Sequence, residues 1–399
     1  MNPWQELMRR VEADDDVVGF VLSLSALGRR AIAVQLPRYL AEWEAPHQVA
    51  GLRVAGAACL GGAAQVAGWL HRRDLRRVRE PREDAQRVLA VLQDRPDDWR
   101  RDLAARLVEG LRQPTGPRWR RGLEHQGWDL AAGLVAQTGI DPPRNDAFAA
   151  GWAWRLAAGQ CWSWMRVPLG LDPLLPAMLP RLFTAEGVEA ALTWSLARDR
   201  GSSAVHVLAG RALSDPAARE VMLDGCVRRF LAGSGAEPFV ALWRMLEPGV
   251  AEVPVPDFVR ALPGGPSAFA ALAAEQLRRA DAAGLVPDDL YAEAVESLAF
   301  RPERKHQTAA LTWIGASAAR LTQGADRVDG SLTALAVFFD QGSVVQRDRA
   351  VRLAVRLAGR PPEGLSGRGA KAVREAAVRL PGDLRARVEA AFRALEMTA

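Results

Sequence analysis

The sequence has 399 residues, of which 49% are hydrophobic and 25% charged, a composition that excludes a wholly disordered chain. The 52 Lys and Arg residues exceed the 47 Asp and Glu residues by five, and Lys305 and Lys371 are the only lysines. Together with many Ala and Gly residues, this arginine bias is typical of a GC-rich bacterial genome. The basic charge therefore permits an anionic partner without requiring one.

Cysteine usage and apolar runs bear on the compartment in which the protein works. Cys59, Cys161 and Cys226 are odd in number and far apart, which does not suit a disulfide framework and favours a reducing environment. No signal peptide is expected, because no apolar stretch follows the first positive charges. The low-charge runs Val54–Leu70 and Ala147–Trp164 fall short of about 20 strongly apolar residues, so we expect buried helices. These features predict a cytoplasmic protein without a membrane partner.

Helical patterns dominate the chain from its N-terminal part onward. Pro81 and Pro96 each begin a segment with acidic residues in its first turn, and Trp99 starts an apolar stripe that recurs every four residues. Ser267 precedes a run of strong helix formers and is expected to cap that helix. The one candidate strand, Val253–Pro256, contains two prolines. The predicted fold class is therefore all-α.

The C-terminal half is predicted to contain two consecutive helix pairs. Pro287–Phe300 and Pro302–Leu321 form the first pair, and Arg327–Gln341 and Ser343–Ala358 form the second. The two pairs begin 40 residues apart. This spacing lies within the period of about 40–47 residues found in HEAT and armadillo arrays.

The turn inside the second pair carries further repeat-like residues. Asp340 ends the first helix, where it can cap the turn, and Val345 and Ala350 are expected to face the neighbouring repeat. With these residues the chain resembles HEAT-like α-solenoids, in particular uncharacterised helical-repeat families of actinobacteria. The resemblance, specific over about residues 285–360, implies a superhelical array of antiparallel helix pairs with a concave binding surface. It implies no activity, because such repeats occur in scaffolds, adaptor subunits and one group of DNA-repair glycosylases.

Proline- and glycine-rich segments indicate where domains meet. Val167–Pro176 contains three prolines and separates a predicted N-terminal helical domain, residues 1–166, from a predicted repeat array, residues 177–360. A second linker precedes residues 366–399, which are expected to form C-terminal capping helices over the apolar end of the array.

Local signatures of catalysis are missing from the sequence. The five histidines are scattered, and no zinc-binding spacing or nucleophile motif occurs, so catalytic residues stay unassigned and neither a metal nor a cofactor is expected. Asp98 and Asp102 have the spacing of the Asp-rich magnesium motif of all-α terpene synthases. Their place just after Pro96 is also explained by compensation of the helix dipole.

Two groups of residues are candidate binding surfaces. The first group consists of arginines, four of which fall within about 80° of one another on one helix and could contact phosphates. These are Arg349, Arg352, Arg356 and Arg360, with Arg72, Arg73, Arg76 and Arg77 in a separate segment. The second group is aromatic and suits either a packed junction or a small-ligand pocket. Its members are Phe148, Trp152, Trp154, Trp162 and Trp164.

The sequence leaves two functional hypotheses open. The leading one is a non-catalytic helical-repeat scaffold that recognises a protein partner on its concave face; a small-molecule substrate is not expected. The alternative is a DNA-binding or DNA-repair protein similar to the HEAT-like alkylpurine glycosylases, which place a catalytic Asp among Trp residues near an extruded nucleotide. Candidate pairs for that role are Trp99 with Asp102 and Trp194 with Asp199.

Overall fold

The structure is a computed structural model that describes residues 2–41, 48–76, 78–113, 127–161, 168–198, 201–233, 236–320, 324–362 and 367–398. These residues contain 22 α-helices and no β-strand, which confirms the all-α class. Within the same ranges, no helix combines the length and apolarity needed to cross a bilayer.

The helices are numbered in chain order and separate into two compact units, Met1–Met222 and Leu223–Ala399. The helices that begin in the first unit are α1 (Pro3–Ala13), α2 (Val17–Ser23), α3 (Ala26–Ala41), α4 (Val49–Cys59), α5 (Ala63–Leu70), α6 (Pro81–Leu92), α7 (Asp97–Gly110), α8 (Trp128–Thr138), α9 (Asp146–Cys161), α10 (Leu175–Arg181), α11 (Val188–Arg198), α12 (Ala204–Ser214) and α13 (Pro216–Ala232). Those of the second unit are α14 (Glu237–Leu246), α15 (Val255–Ala261), α16 (Ser267–Ala282), α17 (Asp288–Phe300), α18 (Arg304–Ser317), α19 (Ala325–Gln341), α20 (Val344–Ala358), α21 (Arg368–Ala377) and α22 (Gly382–Thr398).

The first unit is organised around α4, whose C-terminal half, together with α5, corresponds to the predicted buried run Val54–Leu70. This helix packs against α2, α3, α5 and α6, and it is buried along almost its whole length. Its one charged residue, Arg53, is paired with Asp84 of α6 at 2.9 Å and also donates to the carbonyl oxygens of Leu70 and Leu75. Later in the unit, α9 packs against α10, α11 and α12, so helices on both sides of the proline-rich segment contact each other. The predicted domain boundaries stay predictions.

The second unit consists of two rows of helices. In one row α15 packs against α17, α17 against α19, and α19 against α21. In the other row α14 packs against α16, α16 against α18, α18 against α20, and α20 against α22. Helices that follow each other directly, such as α17 with α18 and α19 with α20, join the rows. The four helices predicted between residues 287 and 358 are all present, with bounds that differ by at most four residues.

In the second unit, several side chains form hydrogen bonds with residues that lie about one helix pair earlier in the chain. Six such contacts each join residues that are 39 positions apart, close to the 40 expected from the helix pairs. They are Leu262 with Arg301, Ser267 with His306, Asp281 with Arg320, Asp288 with Arg327, Gln307 with Gln346, and Asp340 with Arg379. Tyr291 with Ser331 and Asp329 with Gly369 are 40 positions apart, so consecutive segments of the chain are joined in a nearly constant register.

Three local expectations for this unit were wrong. Pro266 occupies the position before α16, and the hydroxyl of Ser267 bonds to a ring nitrogen of His306 instead of capping the helix. The carboxylate of Asp340 accepts from Arg379 at 3.1 Å and does not cap its turn. Val345 is 75% exposed, whereas Ala350 is buried as expected.

Candidate binding groove of the C-terminal unit

An open groove of about 500 Å³ lies between α16 and α18. Small side chains form much of its surface: Ala271 and Ala274 on α16, and Ala309 and Ala316 on α18. Because a methyl group fills little space, two packed helices that face each other through alanines leave a channel at their surface. The groove thus has an apolar floor that a larger side chain would fill.

Positive charge surrounds this floor. Arg278 and Arg279 are exposed on α16, and Lys305 is exposed at the start of α18. Arg279 donates to Gln276 at 3.0 Å. The side chains of Arg278 and Lys305 have no hydrogen-bond or ion-pair partner among the residues that the structure describes. Two unpaired cations are therefore available on opposite sides of the groove.

One acidic residue on the rim is already paired. Glu275 accepts from Arg244 at 3.3 Å, and both side chains are about half exposed. An exposed pair of this kind contributes little to stability and exchanges partners easily. The rim therefore carries one carboxylate, already paired with Arg244, beside the two unpaired cations Arg278 and Lys305.

Beneath the groove, the carboxylate of Asp281 holds three helices together. It accepts from the indole Nε1 of Trp313 at 2.8 Å, from Arg320 at 2.8 Å and from Arg327 at 2.9 Å. Asp281 is 3% exposed, so these donors replace the water that the buried carboxylate has lost. Burial lowers the pKa of Arg327, but hydrogen bonds and charges of Asp288 and Asp281 outweigh it and raise that pKa. With two guanidinium groups attached, Asp281 is a structural anion and not a general base.

His306 closes one end of the groove as a neutral group. Its ring is buried and lies 2.9 Å from the hydroxyl of Ser267. Burial and the nearby Arg301 lower the pKa of His306, against the opposing charge of Glu303. The imidazole therefore serves as a hydrogen-bond partner between α16 and α18 near neutral pH.

The predicted arginine ridge lies mainly on α20, the neighbour of α18. Arg352, Arg356 and Arg360 are exposed, whereas Arg349 is half-buried and donates to Thr312 of α18 at 3.2 Å. Arg352 is paired with Asp348 at 2.9 Å. Within the described part of the chain, the side chains of Arg356 and Arg360 have no partner. Half of the ridge is thus available for an external anion.

The second arginine segment belongs to the first unit and is partly engaged. Arg72 and Arg73 lie at the start of a short 3₁₀ turn, and Arg72 pairs with Asp74 at 3.5 Å. Arg76 donates from Nε to a backbone carbonyl at 2.7 Å. Arg77 lies outside the described residues.

The aromatic cluster is mostly core. Phe148 stacks on Trp128 with ring centroids 5.7 Å apart, and Trp154 contacts Trp194 at 5.5 Å. Trp152 is also buried but lines a cavity of about 210 Å³. Trp162 and Trp164 lie outside the described residues.

The residues considered for chemistry are not brought together. Trp99 donates from Nε1 to the backbone of Gly61, and Asp102 pairs with Arg106 on the surface. Asp98 likewise pairs with Arg101, and Asp199 is not among the described residues. In the described ranges, no three His, Cys, Asp or Glu side chains are grouped so that they could hold a metal ion.

The groove itself was not predicted from the sequence. Its two unpaired cations were not singled out, although Lys305 is one of two lysines in the chain. No protein-family model, curated protein or solved structure matches this chain. The class of protein is therefore defined by the fold and the groove alone: an all-helical protein of two units, one of which carries an open, basic groove.

Proposed function

We propose that this is a non-catalytic helical-repeat protein that binds an acidic segment of a partner protein in the groove between α16 and α18. The observation that carries the proposal is the combination of an alanine floor with two unpaired cations, Arg278 and Lys305, on its rim. Complementary charge steers such a partner and fixes its register, while buried apolar contacts supply affinity.

The arrangement of the second unit supports a HEAT-like array. Helices pack against the helix two positions further on, and side chains bond at a separation of 39 residues. An array built in this way presents one row of helices as a continuous surface, and extended surfaces of this kind recognise protein segments. In this reading α16, α18, α20 and α22 form the binding row.

The apolar floor favours a protein segment over a nucleic acid. Apolar side chains of a peptide gain binding free energy when they are buried against Ala271, Ala274 and Ala309. A phosphate backbone gains no binding free energy from contact with methyl groups. The arginine bias of the whole chain adds no weight to either partner, because it is independent of the groove.

Nucleic-acid binding is the second candidate, and the observation that favours it is the exposed, unpaired state of Arg356 and Arg360. Contacts from these residues to phosphates would be independent of base sequence. A repair activity of the glycosylase kind finds less support. The Trp–Asp pair at the groove, Trp313 with Asp281, is buried and held by two arginines.

The two candidates are distinguished by measuring fluorescence anisotropy of two labelled probes with the full-length protein. The probes are a short peptide of alternating Glu and Ala and a random-sequence DNA duplex, titrated at salt from about 50 to 200 mM. We expect the peptide to bind, and the variant Arg278→Glu/Lys305→Glu to abolish that binding. The matched control Arg356→Glu/Arg360→Glu, which makes the same change of charge at the C-terminal end of α20 and just after it, should leave peptide binding nearly intact.

Other outcomes contradict the proposal. Equal loss of peptide binding in both double variants would mean that general positive charge, not the groove, attracts the peptide. Binding of the duplex that is lost only with Arg356→Glu/Arg360→Glu would replace the proposal by the nucleic-acid function. Failure of the peptide to bind at about 50 mM salt would remove the groove as an acidic-segment site.

A further inference from the structure

The two helices that form the groove run in the same direction and are joined at both ends. At one end the hydroxyl of Ser267, the first residue of α16, lies 2.9 Å from His306 near the start of α18. At the other end Asp281 accepts from Arg320, just after α18, at 2.8 Å. Each contact joins residues 39 positions apart. A residue of α18 therefore lies beside the residue of α16 that precedes it by about 39 positions in the chain.

The two unpaired cations consequently lie at opposite ends of the groove. Lys305 lies beside residue 266, about 12 positions before Arg278, which corresponds to about 18 Å along the helix axes. Between these ends the lining consists mainly of small apolar side chains, those of Ala271, Ala274, Ala309 and Ala316. The groove is therefore basic at both ends and apolar in the middle.

Glu275 is the exposed acidic residue of the lining, and it lies between the two ends. It is one turn before Arg278 and pairs with Arg244 at 3.3 Å. Arg279, beyond Arg278, donates to the uncharged Gln276 and adds positive charge at that end. Because like charges repel, an acidic residue of a partner is disfavoured beside Glu275 and favoured at the two basic ends. The charges thus select a segment whose acidic residues are well separated.

The described lining residues offer few free backbone groups to an extended segment. Apart from Arg320, all of them belong to α16 or α18, where most backbone groups are bonded within the helix. An extended segment would find few backbone partners here, whereas a helix satisfies its own N–H and C=O groups. Packed helices lie about 8–10 Å apart, so the groove between α16 and α18 suits a third helix.

We propose, as an extension that rests on the proposed function, that the partner segment is an amphipathic helix with two acidic residues about 11 positions apart. This separation spans about 17 Å and keeps both acidic side chains within about 20° of one helix face. Apolar residues four and seven positions after the first acidic residue lie on the same face and cover the alanines. One acidic residue then faces Lys305, and the other faces Arg278.

The shape of the segment is tested with three labelled, alanine-rich peptides and the full-length protein, by fluorescence anisotropy. The spaced peptide has two Glu residues 11 positions apart with two Leu residues between them on the same face. The clustered peptide has the same composition, but its Glu residues are four positions apart and precede both Leu residues. The proline peptide is the spaced peptide with a central Ala replaced by Pro, which breaks the helix.

We expect the spaced peptide to bind about two- to fivefold more tightly than the clustered peptide, because only the spaced peptide reaches both cations. It should bind at least about tenfold more tightly than the proline peptide. Equal binding of the spaced and proline peptides, or of the spaced and clustered peptides, would overturn the extension. Continued binding of the alternating Glu–Ala peptide would then leave the proposed function standing. Failure of every acidic peptide to bind would overturn both.

Two variants test whether the helix lies on the alanine floor. Ala309→Leu places a larger side chain in the groove and should weaken binding of the spaced peptide at least about tenfold. Thr308→Leu introduces the same side chain at the neighbouring exposed position of α18, outside the groove lining, and should leave binding unchanged. Leucine favours helix at both positions, so both variants should fold. Equal binding of the spaced peptide by the two variants would overturn the assigned position.

Discussion

Asp281 of α16 accepts a hydrogen bond of 2.8 Å from Arg320, which lies 39 residues further along the chain just after α18. The same carboxylate pairs with Arg327 of α19, so a single buried anion joins three helices. The two guanidinium groups together compensate the negative charge of the buried Asp281 carboxylate. The wall of the groove is consequently fixed from below by an ionic contact and not only by apolar packing.

Removal of this anion should strongly destabilise the second unit. We expect Asp281→Ala to lower the free energy of unfolding by about 3 kcal/mol, because Trp313, Arg320 and Arg327 all lose the buried acceptor that they share and Arg327 keeps only Asp288 as an ion-pair partner. Urea denaturation followed by circular dichroism measures the change. The control Asp348→Ala removes the exposed partner of Arg352 and should cost about 0–1 kcal/mol. Similar losses in the two variants would show that Asp281 is not effectively buried.

Two helical glycines of the second unit should respond to alanine with opposite signs. A Cβ at Gly330 of α19 would lie 2.7 Å from the Cα of Ala292 on α17, so Gly330→Ala should cost about 1–3 kcal/mol through overpacking. A Cβ at Gly315 of α18 would make an ordinary contact of 3.7 Å with Leu353. Gly315→Ala should therefore stabilise the unit by about 0.5–1 kcal/mol, since alanine favours the helix. Thermal melts of both variants show whether each melting temperature rises or falls. A shift of both melting temperatures in the same direction would contradict the close approach of α17 and α19.

Stability should fall on acidification below neutral pH. Burial lowers the pKa of His306 and of His71 below the usual value of 6.5, so both rings are neutral in the folded protein where the unfolded chain binds protons. The stability that the protein gains from keeping both rings neutral is fully present above pH 6.5. It is lost as the pH falls toward the lowered pKa values of the two histidines in the folded protein. Urea unfolding at a series of pH values measures how steeply the free energy of unfolding changes with pH.

The double variant His71→Gln/His306→Gln provides the control for this dependence. It keeps polar side chains at both positions but removes the titrating rings, so the slope below pH 6.5 should become shallower. An unchanged slope would mean that carboxylates, and not these histidines, govern stability in that range.

The start of α20 offers a prediction about capping. The hydroxyl of Ser343 accepts from the backbone of Gln346 at 3.3 Å, and the side chain of Gln346 accepts from the backbone of Ser343 at 3.0 Å. Ser343→Ala should cost about 1 kcal/mol, because a helix N-terminus then loses its side-chain acceptor. Val345→Ala, a change at an exposed position of the same turn, should have almost no effect in the same denaturation assay. A larger loss for Val345→Ala than for Ser343→Ala would contradict the exposure of that side chain.

Features determined by nearby residues were predictable from the sequence. Apolar spacing and proline positions located α17 to α20 to within a few residues, since helix signals act over one or two turns. The orientation of Val345 was not predictable in this way. The buried stripe of α20 follows Gln346, Ala350, Leu353 and Leu357, and Val345 lies about 100° away from it although it is strongly apolar.

The groove depends on residues that are distant in the chain, which is why the sequence did not reveal it. Ala274 and Ala309 are ordinary helix formers when each is considered alone, and only the packing of α16 against α18 makes them two sides of a channel. The same holds for charge. The sequence shows that Arg320 and Lys305 are cations, but the structure shows that Arg320 is paired with Asp281 and Lys305 is not.

The constant separation of 39 residues between bonded side chains has a consequence for how such a chain can change its length. Deleting or duplicating a few residues within one helix pair would affect only the contacts that span the change. A change within a helix between residues 262 and 301 displaces Arg301 from Leu262, whereas Arg379 keeps its separation from Asp340. Gain or loss of one whole 39-residue segment would instead let each donor meet the corresponding acceptor of the segment before it. A change of one whole segment is therefore expected to preserve these contacts, whereas a change of another size within a helix is expected to break those that span it.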